Sequence, residues 1–96
     1  MKPSQALQQH RAAIRRVVAA HRATSPRVFG SVLHGEDTEA SDLDLLIDPT
    51  PGITLFDIGS IIHELEQLLG VSVDVLTPKA LPMRFRDEVL AEAVPV

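Results

Sequence analysis

The 96-residue chain has no cysteine, no tryptophan and no tyrosine, and its only aromatic side chains are three phenylalanines. Without cysteine there are no disulfides and no thiolate metal sites, which fits a reducing cytoplasm. With so few rings, burial falls to the Leu, Ile, Val and Ala that dominate its 45% apolar content. The same scarcity leaves no stacking platform for single-stranded nucleic acid, and the net charge of −4 gives no electrostatic pull toward one. Direct nucleic-acid binding is therefore not expected. No uninterrupted apolar run approaches the ~20 residues that cross a bilayer, and Met1-Lys2-Pro3-Ser4-Gln5 lacks the apolar core of a signal peptide. The expectation is one small soluble domain, cytoplasmic, with no membrane partner.

Acid is also missing from the first 34 residues, which hold Lys2, Arg11, Arg15, Arg16, Arg22 and Arg27. All thirteen acids lie in residues 35–96, with only three bases among them. This asymmetry suits either a basic face for phosphate or an acidic partner, or a solvated basic helix beside an acidic body.

Periodicity orders the chain. Leu7, Ile14, Val17, Val18 and His21 recur at helical spacing, predicting an amphipathic helix over roughly 4–23 that Thr24-Ser25-Pro26 ends. Arg27-Val28-Phe29 is a short strand, and residues 35–41 are polar loop. Asp42 to Asp48 alternates, then becomes wholly apolar at Leu45-Leu46-Ile47, as a central strand does. After the Pro49-Thr50-Pro51-Gly52 turn, Thr54 and Asp57 form a capping-box pair for a second helix that Gly70 stops. Val71 to Thr77 is a third strand, and a last helix covers about 83–91. The class is α+β (α/β), a small mixed sheet packed with helices.

Chemistry concentrates between Gly30 and Asp44. Gly30-Ser31 leaves a strand for a helical turn at Val32-Leu33-His34, where glycine permits close backbone approach and exposed N–H groups favour phosphate. Asp42 and Asp44, separated by one leucine, project from the same face of a strand with Cα atoms roughly 6.5–7 Å apart. Two such acids repel, and a Mg²⁺ shared with phosphate oxygens relieves them. Asp74 points away from the core face of Val71, Val73 and Val75. It joins the pair if its strand lies beside theirs, as metal ligand, general base or both.

Gly30, Ser31, Asp42, Asp44 and Asp74 together resemble the nucleotidyltransferase superfamily with the DNA polymerase β-type fold. The Phe29-Gly30-Ser31 lead-in, Leu55-Phe56-Asp57 and Val73-Asp74-Val75 are similar to the minimal nucleotidyltransferases (MNT), typically antitoxins paired with HEPN-domain ribonuclease toxins. The resemblance implies one domain over 1–96: an N-terminal helix in 1–24, a catalytic core over 27–77, and a C-terminal helix and tail over 83–96. It implies Mg²⁺-dependent transfer of AMP from ATP to a tyrosine hydroxyl of the toxin. Gly30 and Ser31 would hold the triphosphate, Asp42 and Asp44 the metal, and Asp74 would complete the metal site and help deprotonate the acceptor. The chain departs from the family at Leu33-His34, where many relatives carry Ala-Arg, so a fixed charge near the phosphates is replaced by an imidazole. Arg27 and Lys79 are the other bases that could supply charge. Two alternatives stand beside this reading: an antitoxin that inhibits by binding alone, and the catalytic subunit of a two-subunit enzyme acting on a small molecule.

Overall fold

The computed structural model describes residues 1–96. Its elements are α1 (Pro3–Ala20), β1 (Ala23–Phe29), α2 (Gly30–Leu33), β2 (Leu43–Pro49), α3 (Leu55–Leu69), β3 (Val73–Leu76), a 3-10 turn (Pro78–Ala80), α4 (Met83–Glu92) and β4 (Val94–Pro95). The four strands form one mixed sheet in the order β3-β2-β1-β4. β2 is central, antiparallel to β1 and parallel to β3, which explains its unbroken apolar run.

Strand alternation sorts the sheet into two faces. Leu43, Leu45 and Ile47 of β2, Val28 of β1, and Val73 and Val75 of β3 turn toward Leu7, Ile14 and Val18 of α1 and Ile61, Leu65 and Leu69 of α3. This is the main core, and its central members are fully buried. The opposite face carries Arg27, Phe29, Asp44, Leu46, Asp48, Asp74 and Leu76. There Leu46 is also fully buried but lies outside the main core, with the 3-10 turn packed on β2.

The capping box forms as expected. The Asp57 N–H donates to Thr54 Oγ1 at 3.3 Å, and the Thr54 N–H donates to Asp57 Oδ2 at 2.8 Å. Gly70, at φ 68°, ends α3 in the left-handed region.

Several boundaries differ from the sequence reading. α1 stops at Ala20, not near 23, because Arg22 takes a left-handed turn at φ 63°. Thr24-Ser25-Pro26 therefore does not end the helix but lies inside β1. The register slips there, between Thr24 and Arg27, and Ser25 is left-handed at φ 54°. A bulge is where a strand tolerates proline and an unusual φ, so a Ser-Pro pair that looks like a terminator is accommodated. β3 is shorter than 71–77, beginning at Val73.

Candidate active site

The site is assembled at one end of the open face, where β1 finishes and β2 and β3 begin. In the sheet register Asp44 pairs with Phe29 on one side and with Asp74 on the other. Directly paired residues share a face, so Asp44 and Asp74 stand side by side across neighbouring strands. Asp42 lies one residue before β2, not within it, and is exposed, as is Asp74. The register thus brings together two of the acids by direct pairing and the third by proximity in the chain.

Electrostatics link all three. Partial burial pushes the Asp44 carboxyl up to about 6, helped by the neighbouring charges of Asp74 and then Asp42. No basic side chain forms an ion pair with any of them. They do not close into a ready three-ligand cluster in this conformation. The donor set is nonetheless hard, anionic and uncompensated. Magnesium typically takes one or two protein carboxylates and completes its shell with water and phosphate oxygens, so these residues fit it.

Gly30 stands against this carboxylate. It opens α2 at φ 73°, and a Cβ built there would overlap Asp44 Oδ2. Only glycine supplies both the left-handed backbone and the space. The Gly-Ser turn and the paired acids, which are separate signals in the sequence, are therefore in contact in the fold. The helical turn begins at Gly30 itself, slightly earlier than its sequence signature suggests, and closes when the His34 N–H donates to the Gly30 carbonyl at 3.2 Å.

The alternative cations are engaged or distant. Arg27 shares the open face but pairs with Leu46, one row beyond Asp44, and its guanidinium is bound to Asp48 at 2.7 Å. Lys79 follows the far end of β3. His34, at the end of α2, follows the Gly30-Ser31 turn by three residues and meets Glu92 at 3.1 Å.

Asp37 is a residue that sequence reasoning passed over as loop. It is buried, and its Oδ2 accepts the Ser4 N–H at 2.9 Å, which holds its carboxyl below the usual range. The signal was present at the other end of that contact. α1 starts after Lys2, which offers no side-chain acceptor, so its first N–H groups need one from elsewhere. Asp37 provides it and pins the loop between α2 and β2 to the start of α1.

The chain is a four-stranded mixed sheet with paired aspartates beside a glycine-opened turn, and its family places it among nucleotide-transferring enzymes. Residues 11–96 match the nucleotidyltransferase domain family, to which the chain belongs. Among its relatives is a Methanocaldococcus jannaschii protein named as a candidate protein adenylyltransferase. It is 36% identical over 80 residues, covering 83% of this chain and 86% of that one. The protein adenylyltransferase MntA of Thermococcus cleftensis is 38% identical over 67 residues, covering 70% and 68%. A solved structure described as a candidate minimal nucleotidyltransferase superposes with a TM-score of 0.86 at 44% identity, covering 97% of this chain and 95% of that chain. A toxin–antitoxin complex solved with AMP-PNP shares the fold, with a TM-score of 0.70 at 15% identity over 83% of this chain and 66% of that chain.

Proposed function

We propose that the chain is a Mg²⁺-dependent protein adenylyltransferase that acts as an antitoxin, moving AMP from ATP to a tyrosine hydroxyl of a cognate HEPN ribonuclease toxin. The observation that carries this reading is the cross-strand pairing of Asp44 with Asp74 beside the Gly30 turn. The names of the relatives support a protein acceptor, and the fold shared with a toxin–antitoxin complex supports the setting. These 96 residues contain no tyrosine, so a tyrosine acceptor lies outside them.

Each residue then has a task. Gly30 lets the triphosphate approach the backbone, and Ser31 adds a hydroxyl donor. Asp42 and Asp44 hold the metal, with Asp74 completing the set. When bound, Mg²⁺ neutralises charge on the phosphates and on these acids. The acceptor oxygen forms a bond to the α-phosphorus as the bond to the β-phosphate oxygen breaks, and pyrophosphate leaves. The phenolic proton passes to Asp74, the exposed acid next to the half-buried Asp44. The remainder of catalysis is positioning.

The test is to incubate the protein with ATP, Mg²⁺ and the toxin encoded beside it, then weigh the toxin by intact mass spectrometry. An AMP adduct that disappears with Asp44→Ala supports the enzyme. Neutralisation that persists in Asp44→Ala without an adduct replaces it with the binding-only antitoxin. An adduct found only on a small molecule points to the two-subunit enzyme.

A further inference from the structure

α4 contributes no buried residue to the fold. It is anchored at its two ends by side-chain contacts. Near its start, the Arg86 guanidinium donates to the carbonyls of Lys79 and Leu81 at 3.0 Å. At its end, Glu92 Oε2 meets His34 Nε2 at 3.1 Å. The chain then forms β4, in which Val94 pairs with Val28 and Pro95 with Arg27. The C-terminal segment therefore flanks the Gly30-Ser31 turn, pairing with the strand that leads in and meeting His34 on the way out. The tail is an added edge strand of the chain's own sheet.

His34 is well placed to pass this on. His34 follows Gly30 by four residues, one helical turn, and Gly30 is the residue packed against Asp44. Its own N–H closes that turn onto the Gly30 carbonyl. A carboxylate held at Nε2 fixes the orientation of the ring and leaves Nδ1 free to meet a ligand. We propose that Glu92 is a positioning residue for nucleotide binding: it orients His34 toward the phosphates, so that α4 serves as a brace for the phosphate turn. This rests on the reading of Gly30 and Ser31 as the triphosphate site.

A chemically matched control exists at another place in the fold. His21 Nε2 and Glu64 Oε2 form the same kind of pair at 2.9 Å, between the end of α1 and α3, away from the phosphate turn. The experiment measures ATP binding with Mg²⁺ by calorimetry, KM and kcat for transfer, and Tm. Glu92→Ala should weaken ATP binding and raise its KM on the order of tenfold, the scale of one charge-assisted contact, with kcat changed by less than about twofold. Glu92→Gln should recover most of the loss, because its amide oxygen still accepts. His34→Ala should weaken binding similarly, and His34→Ala with Glu92→Ala should be no worse than either alone. Glu64→Ala should leave ATP binding unchanged.

Unchanged binding in Glu92→Ala, with wild type binding ATP, overturns the proposal and leaves the site reading intact. Equal loss in Glu64→Ala overturns it too, by showing a general effect of breaking such pairs. A wild-type protein that does not bind ATP with Mg²⁺ overturns the site reading, and this inference with it.

Discussion

The two faces of β2 differ by a shift of one residue and do opposite things. Leu43, Leu45 and Ile47 face α1 and α3 and are fully buried, while Asp44 between them faces out beside Asp74. The first face gains from desolvation and the second is strained by it, because burial and two neighbouring acids push the Asp44 carboxyl up to about 6. Packing and charge are thus written in alternate positions of one strand. Substitutions on the two faces should therefore separate cleanly.

The largest expected effect is on chemistry. Asp44→Ala should lower AMP transfer at least about a hundredfold, as loss of a charge-stabilising group in a transfer site does, while Tm measured without Mg²⁺ holds or rises. Next comes the packed face. Leu45→Ala should cost about 2–5 kcal/mol in urea unfolding, with kcat for the remaining folded protein little changed. Gly30→Ala should break the separation, because the residue combines a left-handed backbone with close packing on Asp44. A left-handed alanine costs roughly 1–2 kcal/mol before any overlap with Asp44, and transfer should fall as well.

Acid titration sharpens the comparison. Asp44 has a folded pKa above its unfolded one, so the native state binds the extra proton and metal-free stability should fall as pH rises from about 4 to about 6. Asp44→Asn should remove that limb. Asp37 has the opposite sign: its folded pKa is lowered, so its contribution is present above the ordinary carboxylate range and is lost as pH falls through it. Asp37→Asn should flatten the acid side of the urea-denaturation profile. The smallest effect belongs to Thr54→Ala, about 1 kcal/mol from losing the cap of α3, with transfer unaffected.

Much of this was legible because it is local or periodic. Thr54-Asp57 and Gly70 mark α3 through capping chemistry that involves only neighbouring residues. The alternation Asp42-Leu43-Asp44-Leu45 assigns faces without reference to any other strand. Asp74 needed one assumption, that β3 lies beside β2, and the parallel register satisfies it. What could not be read depends on distant partners. Ser25-Pro26 resembles a stop, and only pairing with β2 turns it into a bulge. Asp37 has no local signature as a cap for a helix whose Ser4 N–H lies 33 residues earlier in the chain. Arg27 could not be set aside as a phosphate-binding cation until Asp48 was seen to hold it.

The most direct test of the central claim, that the acids of the open face hold the metal and nucleotide, is the thermal shift produced by Mg²⁺ with ATP near pH 7.5. Wild type should show a clear rise in Tm, and Asp44→Asn should start from a higher metal-free Tm and show almost no rise. An Asp44→Asn protein that gains as much stability from Mg²⁺ and ATP as wild type would contradict the claim.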